Sequence, residues 1–140
     1  MCGIIGIVGK KPVAERLVDG LRRMEYRGYD SAGICTIHEG ALVRRRAEGK
    51  LNNLIAELAD NPAPGEIGIA HTRWATHGAP TAKNAHPHAT EHVALVHNGI
   101  IENFKELRAE LRDAGRTLES DTDSEVVAHL VSRLVENGHS

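Results

Sequence analysis

Residues 2–9 read CGIIGIVG, a thiol followed by small and β-branched apolar side chains. Such a run predicts a buried strand over residues 3–9. Its cysteine stands directly after the initiator methionine, at the first position that can become a chain end. Working outward, residues 12–25 carry Val13, Leu17, Leu21 and Met24 at helical spacing before the break YRGYD at 26–30. Residues 32–48 form two short runs around Glu39-Gly40, a dipeptide suited to a hairpin turn, and the second run sets Leu42 and Val43 ahead of three arginines. Those arginines predict a solvated outer face.

Farther on, Leu51, Leu54, Ile55 and Leu58 share one face of a helix over 51–59, closed by DNPAPG at 60–65. Strands are predicted at 67–73 and 93–97, flanking a polar segment from 75 to 91 that is too long to be a mere connection. Asn103, with Glu106 three residues on, predicts a helix cap ahead of the stripe Phe104, Leu107 and Leu111, and Gly115 a stop. Thr122 and Glu125 have capping-box spacing before Val126, Val127, Leu130 and Leu134. No internal repeat interrupts this order.

Composition bounds the function. The chain has 140 residues, 41% hydrophobic and 26% charged, with a formal net charge of -2, which predicts one soluble globular domain able to bury a core. No run reaches the roughly 20 apolar residues of a membrane span, and the amino terminus lacks the pattern of a secretory signal, so the expected location is cytoplasmic. Near-neutral charge with four aromatic residues argues against a nucleic-acid partner. Cys2 and Cys35 lie far apart and predict reduced thiols rather than a disulfide.

Several residues carry candidate chemistry. If Met1 is removed, Cys2 holds a thiol and a free α-amine on one residue. An α-amine titrates near 7.7–8.0 and a thiol at about 8.5, so the amine can accept the thiol proton without a histidine. Arg73, at the end of an apolar strand, offers a planar fork to a carboxylate, with Trp74, Thr76, His77, Gly78 and Pro80 as a wall or lid. Asn98-Gly99 reads either as a tight turn or as two donors aimed at one oxyanion. Asp123 reads as a helix-start charge, or as a partner for a substrate ammonium.

Six of the nine histidines fall between 71 and 97, and HATEH at 88–92 matches the H-x-x-E-H pattern of inverted zinc peptidases. Pro87 before it and the strand-like VALVHNG after it leave no helix to hold both histidines, so loop histidines without a metal are expected. Ser31 lacks the leading glycine of a serine elbow.

The motifs MCGIIGIVG, LRRMEYRGYDSAGI, AHTRWATHG, NAHPH, VHNGIIEN and SDTDSEV, in this order, resemble the glutaminase domains of isomerizing glutamine:fructose-6-phosphate aminotransferases. These belong to the class II glutamine amidotransferases, which use an N-terminal nucleophile. The likeness covers essentially the whole chain. It implies an α+β fold of N-terminal nucleophile hydrolase type, an αββα sandwich of which residues 1–140 are the N-terminal part, without the family's later strands and without the fused isomerase half that receives ammonia. Unpaired sheet edges then leave room for pairing with a second copy.

By the same resemblance L-glutamine is the substrate and no cofactor or metal is implied. Cys2 would attack the amide, Asn98 and Gly99 would stabilise the oxyanion, and Arg27 would position the chain terminus. Arg73 would clamp the α-carboxylate of glutamine and Asp123 its ammonium, while Trp74, Thr76 and His77 would line the pocket. The rival readings are a noncatalytic glutamine-binding or scaffold fragment and the zinc hydrolase.

Overall fold

The computed structural model describes residues 2–75 and 78–139. Its elements run β1 (Gly3–Val8), α1 (Ala14–Arg23), a 3-10 turn (Glu25–Arg27), β2 (Ser31–His38), β3 (Ala41–Glu48), α2 (Leu51–Asp60) and β4 (Ile67–Arg73). A second 3-10 turn (Ala82–Asn84) then leads to β5 (His88–Ala89), β6 (Ala94–Leu95), α3 (Phe104–Asp113) and α4 (Glu125–Glu136). Strands β1, β4, β2 and β3 form one antiparallel sheet in that spatial order, and β5 pairs with β6. Among the described residues, no helix is long and apolar enough to cross a membrane.

Antiparallel pairing puts opposed residues on the same face of the sheet. Ile5, Ala70 and Ile34 are opposed across three strands, and they join Val13, Leu17, Leu21, Leu51 and Leu54 in a core beneath α1 and α2. The other face presents Ile4, His71 and Gly33 in the next rung. A Cβ at Gly33 would collide with the His86 carbonyl oxygen, so glycine lets the segment leading to β5 lie on the sheet. β5 packs against α4, and α4 against α3. The layers are therefore α1 and α2, the four-stranded sheet, the β5–β6 ribbon, then α3 and α4, an α+β arrangement in the expected αββα order.

Farther along the second face, Val8, Ile67 and Ile37 make one rung and are 83%, 44% and 45% exposed. Val8 is open to solvent, and Ile67 and Ile37 are only partly covered by the described residues.

The Glu39-Gly40 turn forms as expected, with both residues at positive φ. Four expectations need correction. The arginines after it are not a solvated face: Arg46 donates to the Lys83 and Ala85 carbonyls, Arg45 to Asn61 and Pro62, and Arg44 to Pro87 and Glu119. Burial pushes the Arg46 pKa down to about 10. They fasten three loops to β3.

The expected strand 93–97 shrinks to Ala94–Leu95. Asn103 sits at the start of α3 but makes no capping bond with its side chain. No capping box forms at α4 either, because the Glu125 carboxylate accepts from the N–H groups of Glu119 and Ser120 and from the Ser120 hydroxyl instead. The buried face of α4 is then Glu125, Val126, Ala128, His129 and Ser132, which leaves Leu134 half-exposed.

The core predicts a contrast in stability. Leu17→Ala, at a fully buried position, is expected to cost about 2–5 kcal/mol, and Val8→Thr on the open face less than about 0.5 kcal/mol, read from urea denaturation midpoints. Equal costs at the two positions would overturn the assignment of faces.

Candidate active site

Strand register builds the site. Gly3 lies opposite Thr72, and its N–H donates to Thr72 Oγ1 at 3.1 Å. Cys2 therefore stands one step beyond the pair, where the Trp74 N–H donates to Cys2 Sγ at 3.1 Å. The thiol is half-buried and unpaired, and Cys35 is a separate buried thiol.

The turn after β4 is held by Asp30, which accepts the Ala75 N–H at 2.6 Å and donates its own N–H to the Arg73 carbonyl at 2.7 Å. Arg73, 3% exposed, donates to the Ala79 and Gly78 carbonyls. Burial presses its pKa below the ordinary guanidinium value, and Asp30, Cys2 and Asp123 oppose that shift.

Asn98 and Gly99 follow β6. The Asn98 Nδ2 donates to the Cys2 carbonyl at 3.2 Å, and its Oδ1 lies 2.7 Å from His71 Nε2. This loop is tied at both ends to the start of α4. Asp123 Oδ2 accepts the Ile101 N–H at 2.7 Å, and Ser124 Oγ meets His97 Nδ1 at 3.0 Å. A Cβ on Gly99 would stand 2.8 Å from His97 Nε2, so the histidine packed there leaves little room for a side chain.

Cys2, Arg73, Trp74, Asn98, Gly99 and Asp123 thus border one cavity of about 270 Å³, close to the lower end of small-molecule pockets at about 300 Å³. A larger groove of about 630 Å³ runs between α1 and α2, lined by Pro12, Val18, Ile55, Leu58 and neighbours. It is lined by no thiol or hydroxyl side chain, so the smaller cavity is the candidate site.

The model of the glutamine amidotransferase domain matches residues 59–139. This chain belongs to the glutamine amidotransferase domain family. It is 67% identical over 138 residues to the isomerizing glutamine–fructose-6-phosphate aminotransferase of Zymomonas mobilis, covering 99% of this chain and 23% of that relative. The corresponding protein of Brucella suis is 66% identical over 140 residues, covering all of this chain and 23% of its own length. Among solved structures, the glutamine phosphoribosylpyrophosphate amidotransferase of B. subtilis, complexed with ADP and GMP, superposes with a TM-score of 0.78. It is 27% identical, with 100% of this chain and 30% of that one covered. The chain spans about a quarter of the length of the curated relatives it matches.

Two amidotransferase residues expected in the pocket, Thr76 and His77, lie outside the described residues. Arg27 does not border the cavity: it lies exposed on the first 3-10 turn, its guanidinium 5.6 Å from the Tyr26 ring centroid. The zinc reading of HATEH loses its geometry. His88 is on a strand with Nε2 2.8 Å from Thr122 Oγ1, whereas His92 lies at a turn beside Glu91. Among the described residues no group of three or more His, Cys, Asp or Glu side chains is arranged to hold a metal ion.

The structure adds a stack of histidines that sequence reasoning had treated only as a metal question. His71 and His86 rings stack at 4.1 Å, and His88 meets His86 edge-on at 4.4 Å. Burial lowers the pKa of all three. His71 falls to about 4 and His88 to about 3, the latter with help from Arg46, Arg44 and Arg73, and His86 is driven lower still by its two neighbours. The signal available in the sequence was alternation, since His71 and Arg73 share a face of β4.

Neutral buried histidines dictate a pH dependence. Below the ordinary value of 6.5, the unfolded chain takes up protons that the folded rings refuse. Stability is therefore full above pH 6.5 and falls as pH drops, by about 1.4 kcal/mol per pH unit for each ring, down to the folded values near 4 and 3. Urea midpoints are expected to fall steadily from pH 6.5 to pH 5. A midpoint that stays flat over that interval would contradict the burial of these rings.

Proposed function

We propose that this chain hydrolyses the side-chain amide of glutamine to glutamate and ammonia through a thioester on Cys2. One observation supports this above others: a thiol, an Asn-Gly donor pair and two opposite charges, Arg73 and Asp123, border the same cavity. A glutamine zwitterion has a use for each of them.

Removal of Met1 frees the Cys2 α-amine. As Sγ bonds to the amide carbon, that amine takes the thiol proton, and the carbonyl π electrons move onto oxygen. The Gly99 N–H and the second proton of Asn98 Nδ2, whose first lies on the Cys2 carbonyl, stabilise this oxyanion. The amine then passes its proton to the amide nitrogen, the C–N bond breaks and ammonia leaves. Water adds to the thioester and loses a proton to the amine; the C–S bond breaks, returning the thiol and releasing glutamate.

Arg73 receives the α-carboxylate by its guanidinium fork, Asp123 the α-ammonium. Trp74 walls the pocket, and the family likeness assigns Thr76 and His77 to the same glutamine. Residues 1–140 form the front part of the glutaminase domain. From the names of its relatives, the reading extends to a further segment that uses the ammonia to aminate fructose 6-phosphate.

Treatment of the Met1-free protein with 6-diazo-5-oxo-L-norleucine is expected to add mass at Cys2 alone, and a form that retains Met1 is expected to resist. Asn98→Ala is expected to lower kcat for glutamate release by about 10²–10³, and Arg73→Lys to act mainly through KM. Labelling of Cys2 at the same rate with Met1 present or absent would sink the N-terminal mechanism.

A further inference from the structure

An asparagine amide can face a reacting centre in two ways. Its two ends are nearly the same size, but one is a donor and the other an acceptor. Turned one way, Asn98 presents Nδ2 toward Cys2; turned the other, it would set a carbonyl oxygen against a developing oxyanion and oppose the reaction. Gly99 cannot correct such a turn, since its N–H is fixed by the backbone. Something must hold the Asn98 amide in one sense.

The contact that distinguishes the two senses is His71. Its Nε2 lies 2.7 Å from Asn98 Oδ1. Oδ1 has no proton to give, so this contact is a hydrogen bond only when Nε2 carries the hydrogen. The reversed amide would bring an NH2 group against that N–H, donor facing donor. His71 is itself held still: it sits within β4, is 1% exposed, and stacks on His86 with an interplanar angle of 28°. Its Nδ1 is buried and has no hydrogen-bond partner among the described residues, so no acceptor stabilises a proton at that nitrogen. Burial, together with Arg73 and His97 nearby, keeps the ring neutral. A neutral ring has one N–H, and the surroundings favour it at Nε2.

We propose that His71 is a positioning residue for glutamine hydrolysis, its Nε2–H holding the Asn98 amide with Nδ2 toward Cys2. The proposal rests on the function set out above. His71 touches no reacting atom in it and acts only through Asn98.

Two measurements test it. Long-range ¹H–¹⁵N correlation spectra of the unaltered protein at pH 7 are expected to show His71 as the Nε2–H tautomer. They are also expected to show the Asn98 side-chain amide protons shifted in His71→Leu. Finding the Nδ1–H tautomer, or unmoved Asn98 protons, would overturn the proposal whether or not the protein has activity.

In kinetics, His71→Leu is expected to lower kcat about 10- to 100-fold, less than deletion of the donor itself, with KM for glutamine within about threefold. His71→Gln, whose amide NH2 can reach the same oxygen, is expected to recover most of that loss. In an Asn98→Ala background His71→Leu is expected to cost little more, because the group it orients is gone. Equal losses for the leucine and glutamine variants, with thermal unfolding unchanged, would assign His71 a packing role only. If the unaltered Met1-free protein releases no glutamate, the proposed function fails, and the tautomer and amide shifts still decide the role of His71.

Discussion

The pairing of β1 with β4 is the constraint on which the site depends. Gly3 opposite Thr72 fixes the second residue of the chain beside Trp74, and it fixes which face of the sheet that residue shares. Ile4 is opposed to His71, so Cys2, two residues earlier, falls in line with Arg73 and His71 on the face away from α1 and α2. A slip of one residue would turn the thiol toward the helices and bring Ile4 into the core. Thr72 supplies the lock: its hydroxyl accepts the Gly3 N–H from the helix side, where a Cβ at position 3 would crowd Met24 and that same hydroxyl.

Around this fixed pair, polarity is distributed unevenly. Arg73 and Asp123 bring a guanidinium and a carboxyl side chain to the cavity wall, while the layer behind them consists of neutral imidazoles stacked on one another. Each neutral ring can give one proton and accept one, which suits the orientation of amides and hydroxyls. Three imidazolium ions in the same space would repel each other and Arg73. The arginines of β3 have a different use, giving their donors to the carbonyls of loops that close over the sheet edge.

Much of this was legible from residue order. The helical spacing of Val13, Leu17 and Leu21, the Glu39-Gly40 turn and the strand at 67–73 all follow from local periodicity and turn chemistry, and they form where expected. Cys2, Arg73, Asn98, Gly99 and Asp123 were named from chemistry and resemblance, and the cavity gathers them. The failures have a common physical origin in tertiary competition for hydrogen bonds. Thr122 and Glu125 have the spacing of a cap, yet His88 and Ser120 are better placed to engage them. The arginine run looked like surface because nothing in the sequence says that loops with unsatisfied carbonyls will fold over it. The role of His71 was invisible for the same reason, since its partner lies 27 residues away.

The tip of the β2–β3 hairpin has a different meaning from the rest of the sheet. His38 and Ala41 close it at the end opposite Ser31 and Arg73, and among the described residues no heavy atom beyond the chain neighbours lies within 4 Å of a Cβ built on Gly40. Eight strand residues at about 3.3 Å each separate it from the end of the sheet beside Cys2, roughly 25 Å in all. A fluorophore, an affinity peptide or a whole guest domain grafted at this bend would hang in solvent and leave the chemistry undisturbed, which makes it the natural handle for immobilising or tracking the protein.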